Sequence, residues 1–304
     1  MPLIVTGSIG IDTVHTPNAN VERVLGGSCS YFAAAASLWT PVRLLAAVGG
    51  DWPAEHRALL ESFDRIDLRG LEVRENGHTF AWGGRYFEDM NSRETLFTEL
   101  GVLEEHGPEV PDAYRDSEYV FLANTHPAEQ LRLLDHFPNR RIAVADTMDL
   151  WINIARDELM QMLSQVDGVV LNDEEAFQLT EIRNPMTAGR AILDLGPTFV
   201  IVKKGEHGAV LVHKDGIGTL PAYPAEAHQV VDPTGAGDSF AGGMMGHLAA
   251  NGACDFDAIH ASLAWATVTA SFTIESFSLE RLGRLERPEL DDRLELFRRA
   301  ARIG

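Results

Sequence analysis

The sequence predicts an α/β fold: a mainly parallel sheet with helices on both faces. Short unbroken runs of Val, Ile and Leu recur along the chain, and helix-length segments stand between many of them. Strands covered on both faces read as continuous apolar runs, and parallel neighbours need a crossover, usually helical, between them. At 304 residues and 45% hydrophobic content, the chain can bury a large core.

In order, strands are expected at LIVTG (3–7), VRLLAAVG (42–49), YVFLAN (119–124), RIAVAD (141–146), GVVLN (168–172), FVIVKKG (199–205) and AVLVH (209–213). Helices are expected at SYFAAAASLW (30–39), AEQLRLLDHF (128–137), RDELMQMLSQV (156–166), EEAFQLT (174–180) and TAGRAILDLG (187–196), and after residue 238 the pattern stays helical. Residues 71–100 break the rhythm with short, alternating, aromatic-rich stretches around Gly77, Gly83 and Gly84, and residues 11–25 share that character. They predict small antiparallel strands, forming either a projecting sheet or an ordinary surface hairpin. No repeat or long linker divides the chain, so residues 1–304 are expected to form one domain.

Lys+Arg 25 against Asp+Glu 45 gives a formal net charge of −20. That argues against nucleic acid or an anionic membrane as partner, since either needs a basic face. A small anion needs only a few local donors. Cys29 and Cys254 form no CxxC or Cys/His cluster, so neither structural zinc nor a disulfide framework is expected. MPLIVTGSIG reads as strand and turn rather than signal peptide, and no apolar run approaches the ~20 residues of a membrane span. The expected location is the cytoplasm.

The chemistry concentrates in VVDPTGAGDSFAGGMMGHLAA, residues 230–250. Gly235 and Gly237 allow a sharp turn and close approach of a ligand, and the helix that follows offers unpaired N–H groups to an anion. Asp238 either caps that helix or takes a proton from a hydroxyl beside bound phosphate. No GxxxxGK[ST], GxSxG or HExxH occurs, and the GAG element misses GxGxxG because Phe240 stands at its third glycine.

DPTGAGDSFAGG (232–243) closely resembles the C-terminal signature of the PfkB, or ribokinase-like, family of carbohydrate and nucleoside kinases. VTGSIGIDTV resembles that family's first strand, LGGSCSYFAAAA (25–36) its Gly-Gly motif, and AAVGGDWPAEH (46–56) the segment that follows. The resemblance implies a ribokinase-like fold, a Rossmann-like sheet with a small β lid over about 11–25 and 71–100. It also implies transfer of the ATP γ-phosphate to a hydroxyl of a sugar or sugar-like acceptor, with a nucleoside kinase of adenosine-like specificity as the alternative. A non-catalytic nucleotide or sugar sensor ranks third, because Asp238 and the glycines are both present.

By the same resemblance, Asp238 matches the base, and Gly235, Ala236 and Gly237 the anion hole. Asn172 and Glu175 match an NxxE motif that acts on Mg²⁺ through its water shell, although Asn172 also suits a helix cap. Asp232 and Thr234 match positions around which relatives bind a monovalent cation such as K⁺. Lys203, Gly205 and Gly208 match the nucleotide-phosphate turn, and Ala264 a helix flanking adenine. On the acceptor side Asp12, Gly26 and Gly27 match the diol-binding positions. Tyr31 departs from the pattern, which places Asn there, and Asn124 is expected at a sheet edge where ligands bind. Trp82, Arg85, Tyr86 and Phe87 either reach the acceptor or build the lid's own core or a homodimer interface.

Overall fold

In the computed structural model, which describes residues 1–301, the strands form two sheets. They are β1 Leu3–Thr6, β2 Gly10–His15, β3 Asn20–Gly26, β4 Val42–Gly49, β5 Ile66–Arg74, β6 Phe80–Tyr86, β7 Arg93–Glu99, β8 Tyr119–Leu122, β9 Ile142–Asp146, β10 Gly168–Asn172, β11 Phe199–Lys203, β12 Ala209–His213 and β13 Gly216–Leu220. The larger sheet is nine-stranded in the order β13-β12-β11-β10-β9-β8-β1-β4-β5. It is parallel from β5 through β11, and β12 and β13 close one edge antiparallel.

Alternation within the strands explains why they read as unbroken apolar runs. Leu3 and Val5 of β1 enter one core with the helices Ser28–Ser37, Ala236–Asn251 and Phe256–Thr273. Ile4 points to the other face, with Val120, Leu122 and Leu159. Glycines set the distance between helices on the first face. A Cβ on Gly242 would meet the Phe32 carbonyl oxygen at 2.4 Å, and one on Gly243 would meet Thr269 at 2.9 Å. The helix Ala236–Asn251 is thus wedged between two others, and its N-terminus is held by close packing along its length.

The second sheet has the order β3-β2-β6-β7. It is mixed: β2 pairs β6 in parallel, while β3 and β7 pair antiparallel. The expected all-antiparallel arrangement fails because β2 and β6 each follow a strand of the parallel sheet, β1 and β5, and leave it in the same direction. Asp51 fastens the crossing into β6, its Oδ1 accepting from the Thr79 N–H at 2.7 Å and the Thr79 hydroxyl at 2.8 Å.

Residues 71–74, expected in the small sheet, end β5 at the edge of the large one. An edge strand that is only half buried alternates and lacks the continuous apolar signature. β13, with two glycines in GIGTL, was invisible for a similar reason. The helices Ala54–Glu61 and Asp149–Ile154 are further additions to the sequence reading. Among the described residues, no helix is long and apolar enough to cross a membrane.

Candidate active site

Sequential strands run outward from β1 in one direction to β4 and in the other through β8, β9, β10 and β11. Open α/β sheets bind ligands outside the C-terminal ends of the strands near such a reversal. There the chain places Asp146 at the end of β9, Asn172 at the end of β10 and Lys203 at the end of β11, with Asn172 and Lys203 in register. The mouth of the helix Ala236–Asn251 faces the same edge.

At that mouth Gly235 is the N-cap residue, with φ +75°, a left-handed conformation that favours glycine. A second reason for glycine is Tyr31, whose ring would lie 2.3 Å from a Cβ on residue 235. Tyr31 therefore packs beneath the turn, and the departure from Asn belongs to the helix mouth as much as to the acceptor. Asp238 stands in the first turn of the helix, where a negative side chain is favoured by the helix dipole.

The Ala236 N–H closes the turn by donating to the Pro233 carbonyl at 3.2 Å. That separates Ala236 from its neighbours: the Gly235 and Gly237 N–H groups have no backbone acceptor among the described residues. Lys203 completes the cradle, its Nζ 2.7 Å from where a Cβ on Gly237 would stand. Two amides, a helix N-terminus and an ammonium thus converge on one small space, suited to an anion.

Carboxylates surround that space. Asp12, Asp146, Glu175 and Asp232 are all buried. Burial pushes the Asp12 carboxyl up to about 8, with Asp232 and Asp238 adding to the rise. Burial likewise lifts Asp232 to about 6 and raises Asp238, Glu175 and Asp146. Lys203 opposes the rise at Asp238, Glu175 and Asp146, and Arg93 opposes it at Asp238 and Glu175. A raised carboxyl is closer to the neutral range where a general base works best.

Asn172 and Glu175 form a capping box at the helix Asp173–Thr180. The Asn172 Oδ1 accepts from the Glu175 N–H at 2.7 Å, and the Glu175 Oε2 accepts from the Asn172 N–H at 2.8 Å. The box ties Glu175 to the end of β10. Among the described residues, no group of three or more His, Cys, Asp or Glu is arranged to hold a metal directly. Asp232 accepts from the Thr234 N–H at 2.8 Å through Oδ1, and its Oδ2 is buried without a partner.

On the acceptor side, Asp12 lies against Gly26, where a Cβ would fall 1.9 Å from its Oδ2. Gly27, at φ +92°, turns the chain into the helix Ser28–Ser37. A Cβ on Gly10 would touch both the Phe80 ring at 2.9 Å and the Asp12 Oδ1 at 3.1 Å, so ring and carboxylate are neighbours. Trp82 pairs with Asp12 across β2 and β6, and Tyr86 extends the same face toward the helix mouth. There Tyr86 and Thr234 share a hydrogen bond, Oγ1 to hydroxyl 3.2 Å. Arg85 points the other way, to Glu94 at 3.8 Å, and Phe87 is exposed.

Not every expected residue joins this cluster. Asn124 is held locally: its Oδ1 accepts from the Trp151 indole at 2.8 Å, and its amide faces the Met148 sulfur at 2.9 Å. Ala264 is half-buried and packs against the hydrophobic core. Gly208 shapes the turn after Lys203, where a Cβ would strike the Leu220 carbonyl at 2.0 Å. Gly205, at φ +52°, opens that turn.

Asp146 is a further buried acid at this edge, and its signal in the sequence is an acid ending an apolar strand, as in RIAVAD.

The family model described as pfkB family carbohydrate kinase matches residues 138–281. A cytidine kinase of Thermococcus kodakarensis is 31% identical, covering 81% of this chain and 87% of its own length. A Burkholderia thailandensis nucleoside kinase solved with inosine superposes with a TM-score of 0.79 at 20% identity, over 97% of this chain and 98% of that one. An Escherichia coli structure described as a putative ribokinase II, with ATP and Mg²⁺, gives 0.75 at 18% identity, covering 97% and 99%.

Proposed function

The chain belongs to the PfkB family, and from that premise we propose that it transfers the γ-phosphoryl group of ATP to a ribose hydroxyl of a nucleoside. The observation that carries the acceptor is the pairing of Asp12 with the Phe80 and Trp82 rings on one face of the small sheet. A carboxylate takes two hydroxyls of a diol at once, and an aromatic face receives a flat base. The cytidine and nucleoside kinases among the similar proteins support the same acceptor. A free sugar, ranked first on sequence alone, uses Asp12 equally well but leaves the rings without an occupant.

In this reading the acceptor hydroxyl gives its proton to Asp238 while its oxygen bonds to the γ-phosphorus. The bridging P–O bond breaks, and its electron pair stays with the ADP oxygen. The Gly235 and Gly237 amides and Lys203 stabilise the charge on the moving group, where most of the catalytic effect of phosphoryl transfer lies. Tyr31 keeps the turn in shape from beneath. A magnesium ion fits the chemistry of the donor set, with Asp146 Oδ1 buried and unpartnered and Glu175 nearby. Mg²⁺ prefers to keep several waters, so these carboxylates would hold it through its water shell, where it screens phosphate charge. The unpartnered Asp232 Oδ2 fits a monovalent cation, and turnover in K⁺ against Na⁺ reads that directly.

The test is an ATP-consumption screen over cytidine, inosine, adenosine, ribose and fructose. Turnover on one or more nucleosides with ribose and fructose at background supports the reading. Turnover on a free sugar alone replaces the acceptor and keeps the phosphoryl transfer. Nucleotide binding without turnover on any acceptor would identify a sensor.

A further inference from the structure

The small sheet joins the rest of the molecule at an outer and an inner end. At the outer end the β6–β7 hairpin meets the loops that carry the anion donors. Tyr86 bonds to Thr234 there, and a Cβ on Gly205 would fall 2.6 Å from the Asn91 Oδ1. At the inner end β3 runs into Gly26 and Gly27, and Leu25 is buried in the main core. This inner joint has a partner far along the chain. The Ser278 hydroxyl donates to the Leu25 carbonyl at 2.6 Å, in a buried bond between residues 253 positions apart.

Ser278 lies in the segment that follows the helix Phe256–Thr273, and the same segment holds the other side of the site. The Ile274 carbonyl accepts from the Val231 N–H at 2.8 Å and from the Asp232 N–H at 3.2 Å, where the turn toward the helix mouth begins. Ion pairs clamp the segment from outside. Glu275 accepts from Arg281 at 2.9 Å and from Arg293 at 2.6 Å, and Arg281 also reaches Glu289 at 2.6 Å. Both guanidiniums stand over the Phe272 ring, and the Ser276 hydroxyl accepts from the Arg281 N–H at 2.9 Å. One short segment thus grips the end of β3 and the mouth loop together.

Ser278 has φ +55° and is 6% exposed. A left-handed backbone is uncommon for a residue with a side chain, whereas glycine takes it without strain. What serine supplies here and glycine lacks is the hydroxyl, and that hydroxyl is the group that holds Leu25. Strained conformations persist where their surroundings over-determine them, and they gather at functional sites.

We propose that Ser278 is a positioning residue: its hydroxyl pins the end of β3 to the segment that carries Asp232. Val24 pairs with Asp12 and Gly26 with Gly10, so the pinned end of β3 fixes the floor on which the acceptor rests. An acceptor held by Asp12 then keeps one distance from Asp238, as a reacting pair requires. Without the hydroxyl the Leu25 carbonyl is left buried and unpaired, and β3 shifts to reach water. The inference rests on the phosphoryl-transfer reading given above.

The experiment compares wild type, Ser278→Ala and Ser278→Gly, using whichever of cytidine, inosine, adenosine, ribose and fructose the wild type phosphorylates. Both variants lose the hydroxyl, but only glycine relieves the backbone strain, so its urea midpoint should stand above that of Ser278→Ala. Acceptor KM should nevertheless rise ~10-fold in both, the scale expected when a buried carbonyl loses its partner. MgADP affinity and kcat should stay within ~3-fold, because the Ile274 contacts with the mouth loop are untouched. In the ligand-free protein, amide exchange should quicken across residues 20–27 in both variants and hold steady in the helix Ala236–Asn251. Acceptor KM within ~2-fold of wild type in both variants overturns the proposal. So does a KM that recovers in Ser278→Gly, which would make the position a matter of backbone stability alone. An equal loss of MgADP affinity also overturns it, since the segment would then act on the phosphate side. A wild type without turnover on any acceptor overturns the phosphoryl-transfer reading, and this inference with it.

Discussion

The helix mouth and the small sheet are built by opposite means. At the mouth, Gly235, Gly237 and Asp238 lie within one turn of a helix wedged into the core by glycines, and Tyr31 fills the space beneath. The small sheet presents an outer strand, β7, whose residues are all exposed, and it meets the mouth through single side chains such as Tyr86. The first region is held by packing and cannot shift without disturbing the core. The second is buried along β2 and at Leu25, which joins the main core, while its outer hairpin meets the mouth through a few polar contacts. On the proposed reading, chemistry common to every acceptor belongs to the mouth and discrimination to the small sheet.

The largest expected effect tests the rigid side. Asp238→Asn keeps the shape of the side chain and removes its ability to take a proton. We expect kcat to fall ~10³-fold, within the range for loss of a positioned general base. MgATP affinity should hold within ~3-fold, because the amides and Lys203 are untouched. Titration of binding beside steady-state turnover separates the two. Turnover near that of the wild type would remove Asp238 from the base role and leave the mouth as an anion cradle only.

These differences also mark what could be read from the sequence. The mouth was legible because its parts are local: Gly235, Gly237 and Asp238 stand side by side in the chain, and the turn and the helix start follow from adjacent residues. The parallel strands were legible because burial on both faces leaves an unbroken apolar run, as in VRLLAAVG. The contacts that join the regions depend instead on residues far apart in sequence. Tyr31 under Gly235, Tyr86 on Thr234 and Asn91 on Gly205 exist only once two sheets are placed against each other. The bond from Trp151 to Asn124 is of the same kind, since Trp151 belongs to a helix that carries no clear periodic signal.

A middle-sized effect joins the two regions through charge. Asp12 belongs to the small sheet, yet burial, then Asp232 and Asp238, push its carboxyl up to about 8. In the unfolded chain an Asp titrates near pH ~3.9. Between those values the folded protein keeps a proton that the unfolded chain has released. Stability from this group is therefore lost as pH rises from about 4, and the loss is complete above about 8. Asp12→Asn removes the dependence. Urea unfolding of the ligand-free protein should show the variant gaining on the wild type between pH 5 and pH 9 by on the order of 3 kcal/mol. A difference that stays constant with pH would mean that Asp12 remains ionised in the fold, held by donors rather than penalised by burial.

The smallest expected effect is at the joint itself. Tyr86→Phe deletes the hydroxyl that meets Thr234 and preserves the ring between Trp82 and the mouth. A hydrogen bond of this kind contributes about 1 kcal/mol net, so the seated position of the hairpin should become ~5-fold less favoured. If seating is needed to bring Asp12 and the Phe80 and Trp82 rings over the acceptor, that cost should appear as a ~5-fold rise in acceptor KM, with kcat and MgATP affinity nearly constant. A fall in kcat with KM unchanged would instead mean that the contact tunes the helix mouth through Thr234, and that the two regions act as one rigid unit. An unchanged enzyme would mean that the Asn91 contact with Gly205 seats the hairpin unaided, and Asn91→Ala in the Tyr86→Phe background should then produce the rise that Tyr86→Phe alone does not.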